Sequence, residues 1–167
     1  MKRHIILLIA FVLMSAQLFA QTPVYLTKAY KPVESDRYTA YSSLEIQGGD
    51  TWNNCFTLGV INNYHGYATF NIGGKYESIS FILGAEKSNG GNDPNIVQIH
   101  ADGKRIFDYV LRDGDLGQQF TLNISGVDKL EFSLVKPEVE AAFCEVALWT
   151  KGQTPHDLRG KNNPEVK

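Results

Sequence analysis

Short runs in which apolar and polar residues alternate cover most of this sequence, and they limit the possible fold more than any other feature. Clear examples are residues 79–83, 97–101, 120–124 and 130–134. Successive side chains of a β-strand point to opposite faces of the sheet, so a period of two predicts strands with one buried and one solvated face. No stretch of 12 residues shows helical periodicity. The sequence therefore predicts about eight or nine strands and almost no helix.

Turn-forming dipeptides separate these runs. Asp102-Gly103 lies between two alternating runs and predicts a tight β-hairpin, because such a turn needs residues that tolerate positive φ. Gly73-Gly74, Asp113-Gly114 and Ser125-Gly126 mark further turns. Neither an internal repeat nor a linker to a second domain is recognisable. The pattern predicts one all-β domain, a β-sandwich of jelly-roll type.

The first 20 residues have the composition of a secretion signal. Lys2 and Arg3 precede a ten-residue apolar run over residues 5–14, and a more polar segment ends at Ala20. A bilayer span needs about 20 apolar residues, so a signal peptide cleaved after Ala20 is favoured over an uncleaved anchor. We therefore expect a periplasmic or secreted protein without a membrane span.

The remaining chain divides into three parts by composition. Residues 21–37 are expected to form an extended lead-in with at most one edge strand, residues 38–151 the β-sandwich, and residues 152–167 a polar, frayed tail. The mature chain would have 147 residues with 14 basic and 18 acidic side chains, a net charge of −4. This length suits one domain with a sizeable core. A mildly acidic domain is a poor nucleic-acid binder, because phosphate contacts need clustered lysine and arginine.

Two cysteines, Cys55 and Cys144, remain after loss of the signal. Export to an oxidising compartment would allow them to pair, and the first and last strands of a jelly roll often lie side by side. The alternative is two separate buried thiols, since free cysteine behaves as a small core hydrophobe. The sequence leaves both arrangements open.

Three motifs occur in order along the predicted sandwich: GGKY at residues 73–76, DGK at 102–104 and SGVDKL at 125–130, with Trp149 closing the last strand. Together they resemble the NPCBM/NEW2 family of carbohydrate-binding modules, which are often attached to glycoside hydrolases. The resemblance covers about residues 43–151. It implies a galactose-binding-like β-sandwich that binds a glycan or polysaccharide, with a separately encoded glycoside hydrolase as a further partner.

The sequence departs from the family pattern just before Trp149. Glu145 and Val146 occupy positions where the family usually has an Asp-His-type pair, so any role of that histidine is lost. The family module is also usually one part of a large enzyme, whereas this sequence accounts for the module alone.

No converging catalytic set is recognisable in the mature sequence. Its histidines, His65, His100 and His156, have no metal-ligand spacing with another histidine or cysteine. Asp113 and Asp115 share one turn, where carboxylates more often act as solvated caps than as the pair that flanks a scissile glycosidic bond. The sequence therefore predicts no catalytic residues, no catalytic metal and no enzyme activity.

Two segments, residues 50–67 and 88–95, have the composition of a sugar-binding site. Aromatic faces cover the C–H face of a pyranose, and amides and carboxylates bind its hydroxyl groups in pairs. We predict a glycan site in these loops at one end of the sandwich, with Trp52 or Tyr64 as the stacking platform. The predicted ligand-binding residues are Trp52, Asn53, Asn54, Asn63, Tyr64, His65, Asn92 and Asp93. The alternative is that the asparagines only form turns and that Trp52 and Tyr67 face the core.

No cofactor is predicted, and a structural Ca²⁺ ion is kept as an alternative hypothesis. Related sandwiches often hold one, and Asp50, Asp93 and Glu145 could supply oxygen ligands. Two classes of function follow: an exported, non-catalytic carbohydrate-binding module, or a protein-interaction or structural subunit with the same fold and no sugar ligand. An exposed aromatic patch rimmed by Asn and Asp favours the first, and an exposed apolar face favours the second.

Overall fold

The computed structural model describes residues 22–61, 64–86, 94–136 and 139–159. These residues form short strands and one short helix. The elements are β1 (Val24–Tyr25), α1 (Leu26–Ala29), β2 (Glu34–Asp36), β3 (Tyr38–Glu45), β4 (Thr51–Leu58), β5 (Val60–Ile61), β6 (Tyr64–His65), β7 (Tyr67–Asn71), β8 (Ser78–Ala85), β9 (Asn95–Ala101), β10 (Lys104–Leu111), β11 (Gln118–Asn123), β12 (Lys129–Leu134) and β13 (Ala141–Trp149). In this part of the chain, no helix is long and apolar enough to cross a membrane.

Most strands belong to two antiparallel sheets that pack face to face. The first sheet has the order β11-β8-β13-β4-β3, and β1 also pairs with β13. The second sheet has the order β10-β9-β12-β7-β2, while β5 and β6 form a separate two-stranded ribbon. The predicted all-β, jelly-roll sandwich is confirmed.

The hairpin predicted at Asp102-Gly103 is also confirmed. Ala101 and Lys104 are paired across the turn, and Asp102 and Gly103 have φ angles of 48° and 80°. The Asp102 carboxylate accepts hydrogen bonds from the backbone N–H groups of residues 128 and 129, at 3.2 and 2.8 Å. The turn is thereby tied to the start of β12 in the same sheet.

Aromatic side chains dominate the core between the two sheets. Phe56, at its centre, is fully buried and stacks on Phe143 with ring centroids 4.9 Å apart. The Phe132 ring meets the Phe56 ring edge-on at 5.2 Å, and the rings of Phe70 and Tyr38 also contact Phe56. Such stacked and edge-on pairs contribute stability beyond the area they bury, so this cluster fixes how the sheets face each other.

A second, smaller apolar cluster lies on the outer face of the first sheet. It contains Trp52 and Trp149, and it is covered by Leu158, whose side chain is 1% exposed. The Leu158 N–H also donates to Gln119 at 2.7 Å. The described part of the predicted polar tail, residues 152–159, therefore lies against this sheet face, where the His156 carbonyl also accepts from Gln119 Nε2 at 3.0 Å.

The lead-in segment forms more strand pairs with the two sheets than the sequence suggested. Val24 and Tyr25 pair with the end of β13, and Glu34–Asp36 pairs with β7. Between them α1 buries Leu26 in the main core. Short elements of this kind have no periodicity to detect, and tertiary pairing alone determines them.

Candidate functional site

Strands β4 and β13 begin as neighbours and then separate. They pair from Leu58 with Ala141 to Phe56 with Phe143, and the next residues, Cys55 and Cys144, form a disulfide with Cα atoms 4.0 Å apart. Beyond the disulfide, β13 pairs with β1 instead. The two strands therefore form a fork whose branch point is the disulfide.

Both strands are irregular immediately past this branch point. In β13, Phe143 and Val146 face the core whereas Cys144 and Ala147 belong to the outer cluster. The pairing of β13 with β8 shifts between Cys144 and Ala147 as well. In a regular strand, side chains on the same face are two residues apart, whereas Phe143 and Val146 are three apart. One extra residue is therefore inserted at Glu145, as in a β-bulge.

The backbone is also unusual on both strands at this point. Asn54 and Glu145 have φ angles of 51° and 48°, in the left-handed region that non-glycine residues rarely adopt. Such residues cost on the order of 1–3 kcal/mol each and cluster at functional sites. Two of them beside one disulfide point to the fork as a candidate site.

A cleft with a volume of about 660 Å³ opens within the fork. One wall comes from β1 and α1, the other from β3, and residues 53 and 54 of β4 with residue 145 of β13 complete it. We call it the fork cleft; it is lined by Tyr25, Thr27, Lys28, Ala40, Tyr41, Ser42, Asn53, Asn54 and Glu145. Hydroxyl, amide, carboxylate, ammonium and aromatic groups thus converge on one concave surface.

Glu145 is the most deeply placed polar group of the fork cleft, with only 4% of its surface exposed. Its carboxylate accepts hydrogen bonds from the Asn53 backbone N–H at 3.3 Å and from Asn54 Nδ2 at 3.4 Å. Asn54 is itself 7% exposed. A carboxylate has about four acceptor positions, so Glu145 keeps acceptor capacity beyond these two contacts.

Aromatic and cationic side chains flank this polar pair. Tyr25 and Tyr41 are half-buried and both pack against the outer apolar cluster. Lys28 Nζ lies 5.5 Å from the centroid of the Tyr25 ring, within the range of a cation–π contact. The arrangement can offer a sugar an apolar ring surface together with fixed donors and acceptors.

The sequence-predicted site is divided by the fold. Asn53 and Asn54 line the fork cleft, whereas His65 lies in the exposed ribbon after β4. Leu58 and Ala85 both pair with Ala141, so the segments that follow β4 and β8 leave the same end of the sheet. Asn53 lies five residues back along β4, about 16 Å from that end.

Trp52 was predicted as a stacking platform, and this is wrong. Its side chain is 3% exposed and packs in the outer apolar cluster, so neither ring face is open to a ligand. The alternative interpretation, in which Trp52 faces a core, holds. Asn63, Asn92, Asp93 and the side chain of Tyr64 lie outside the described residues.

The remaining charged candidates have structural contacts. The Asp115 carboxylate accepts the Arg112 N–H at 2.8 Å, and Asp113 accepts Gln47 Nε2 at 3.3 Å, as expected for turn residues. His156 meets the Trp149 ring edge-on at 4.9 Å. In the described ranges, no group of three His, Cys, Asp or Glu side chains could hold a metal ion. The calcium hypothesis for Asp50 and Glu145 therefore gains no support, and Asp93 is not described.

Several residues of the fork cleft were missed by sequence reasoning. Tyr25, Thr27 and Lys28 belong to the lead-in, where no period marks them. Glu145 was noted only as a departure from the family pattern and as a calcium ligand. A signal was present: the spacing of three between core-facing Phe143 and Val146 breaks the alternation at Glu145.

The described residues thus form a β-sandwich with a polar, aromatic-flanked cleft. The family model described as NPCBM/NEW2 domain matches residues 15–153, and the chain belongs to this family. The resemblance found in the sequence is thus confirmed. No curated protein sequence matches the chain.

Solved structures with a similar fold include carbohydrate-binding modules. CBM51 from Clostridium perfringens GH95, in complex with methyl-galactose, is 13% identical with a TM-score of 0.60, over 76% of this chain and 99% of that one. The M60 catalytic domain with CBM51-1 and CBM51-2 from C. perfringens ZmpB is 16% identical with a TM-score of 0.61, over 78% of this chain.

A third structure, CBM51-2 with GlcNAc and INT domains from the same C. perfringens protein, is 9% identical with a TM-score of 0.52 over 72% of this chain. The present chain spans only 15% and 29% of the two ZmpB structures. At these identities the likeness establishes the fold. Family and fold together support a carbohydrate-binding module.

Proposed function

We propose that this protein is an exported, non-catalytic module that binds carbohydrate in the fork cleft. The observation that carries the proposal is the buried Glu145–Asn54 pair, whose two residues both have positive φ angles, in a cleft that the half-buried rings of Tyr25 and Tyr41 also line. An adjacent carboxylate and amide suit paired hydroxyl groups of a pyranose, and a tyrosine ring suits its C–H face.

The burial of the Glu145–Asn54 pair supports a role in ligand binding in addition to a structural role. A carboxylate in a poorly hydrated place is costly unless it is well hydrogen-bonded. The two contacts of Glu145 are long, at 3.3 and 3.4 Å, and leave acceptor positions open. Sugar hydroxyl groups would complete these positions, whereas a purely structural carboxylate would be expected to have its acceptors filled by the protein.

The alternative, a protein-interaction or structural subunit, has less support. In the described part of the chain, the exposed large apolar side chains are Val33, Val110, Leu116 and Val135. Val110 and Val135 flank Ile96 on the second sheet, and the other two lie in separate places. This is a smaller apolar surface than stable protein interfaces normally bury.

A binding screen of the exported product tests the proposal. The full chain is expressed with its leader in a bacterium, and the periplasmic product should begin at residue 21 by intact mass. On a glycan array it should bind a defined subset of glycans, with dissociation constants in about the micromolar to millimolar range. It should release no reducing sugar from those glycans. An array without any binding, or steady sugar release, would contradict the proposal.

A further inference from the structure

A second pocket lies next to the fork cleft on the first sheet. It has a volume of about 330 Å³ and is lined by Arg37, Thr39, Tyr41, Thr57, Gly59, Glu86 and Glu140. Tyr41 lines both this pocket and the fork cleft. Residues 39 and 42 of β3, one in each lining, are three positions apart, or about 10 Å along the strand.

Arg37 gives this pocket an unused donor. The Arg37 Nε–H is buried and has no hydrogen-bond partner among the described residues. Buried donors without a partner are rare in folded proteins, because the loss of water is not compensated. A rotation of the Arg37 side chain, which lines the pocket, would bring this donor to a ligand oxygen there.

The backbone of Arg37 is also strained. Its φ angle is 52°, and its carbonyl accepts the Gly59 N–H at 2.9 Å. In the described residues, the non-glycine positions with positive φ are Arg37, Asn54, Asp102 and Glu145. Asp102 belongs to the tight hairpin turn, and the other three line the two pockets. Strain of this kind concentrates where a protein binds its ligand.

Two carboxyl groups complete the pocket. The pKa of Glu86 is raised to about 7, mainly by burial of its carboxyl group. The hydrogen bond to Glu140 and the charge of Glu140 raise it to a smaller extent. Near neutral pH the Glu86 carboxyl is therefore protonated in a large share of the molecules, and in that form it can donate as well as accept a hydrogen bond. Together with the hydroxyl groups of Thr39 and Thr57, this is a second set of groups suited to polyol recognition.

We infer that the second pocket is a further sugar subsite, so that the ligand is an oligosaccharide whose consecutive residues occupy the fork cleft and this pocket on either side of Tyr41. The inference rests on the proposed function, which it extends from a single sugar to a chain. The sugar in the second pocket places a hydroxyl or acetamido oxygen against Arg37 Nε.

Calorimetric titrations with ligands of different length test this subsite. The probes are methyl-galactose, GlcNAc, N-acetyllactosamine, which joins the two sugars, and the glycan that binds best on the array. The longer probes should bind at least about tenfold more tightly than either single sugar, since a charged donor gains a partner. Arg37→Met, which keeps the apolar stem, should remove this gain and leave single-sugar affinity unchanged within about twofold.

Two further variants keep the test decisive. Arg105→Met makes the same change on the exposed edge strand of the other sheet and should affect no affinity. If Arg37→Met does not fold, Thr39→Val, at an exposed strand position, should lower the affinity of the longer probes alone. The subsite would be refuted if single and longer probes bound with equal affinity and neither Arg37→Met nor Thr39→Val changed it. In that case the fork cleft would still bind sugar. Absence of binding by every probe would refute the proposed function and the subsite together.

Discussion

Replacing both cysteines, Cys55→Ala with Cys144→Ala, should lower the free energy of unfolding by about 4 kcal/mol. The two residues are 89 positions apart, and a cross-link that closes such a loop removes much conformational entropy from the unfolded chain. Both side chains are fully buried, so part of the loss is packing on the outer face of the first sheet. Denaturant unfolding of the oxidised parent and the double variant measures the difference.

The reduced parent provides the control for this experiment. Its stability should approach that of the double variant, because both lack the same cross-link. Binding should weaken as well, since Asn54 and Glu145 directly adjoin Cys55 and Cys144 and the β4–β13 pairing ends there. A loss of less than about 1 kcal/mol would show that the strands hold their positions without the disulfide.

Glu145→Gln should lower the affinity of the protein for its glycan by about ten- to a hundredfold, the range expected when charge-assisted hydrogen bonds are lost. Glutamine preserves the size of the side chain but replaces one acceptor oxygen by a donor. The change also disturbs the contact with Asn54 Nδ2, so the amide loses its fixed orientation. Titration with the same glycan, alongside a thermal unfolding curve, separates lost binding from lost folding.

Glu131→Gln is the matched control for this change. Glu131 lies on β12 of the second sheet, with a side chain 43% exposed and 3.5 Å from His100. This variant should bind the glycan like the parent. If Glu145→Gln folds and binds as tightly as Glu131→Gln, the Glu145 carboxylate has no part in recognition.

Much of the fold could be predicted because strands with one buried face leave a direct trace in the sequence. The alternation over residues 97–101 and 130–134 corresponds to β9 and β12, and Asp102-Gly103 forms the hairpin after β9. The short elements β1, β2 and α1 could not be predicted. They have two to four residues each, and their pairing partners lie far away in the chain.

The candidate site was harder to predict than the fold because composition does not say which way a side chain points. Trp52 and Asn53 are adjacent in a segment of suitable composition, yet the first packs in the outer apolar cluster and the second lines the fork cleft. Successive side chains of a strand point to opposite faces, so these neighbours separate although their segment has one composition. The lead-in contributes Tyr25 and Lys28 only because β1 takes the place beside β13 that β4 leaves.

Mapping the bound sugar on the protein tests the central claim most directly. Backbone amide shifts of the isotope-labelled, disulfide-intact protein are followed during titration with the glycan that binds best on the array. The largest shifts should fall on Lys28, Tyr41, Asn54 and Glu145, which line the fork cleft. Largest shifts at His65 and in residues 87–93, with none in the fork cleft, would contradict the claim and place the sugar outside the fork cleft.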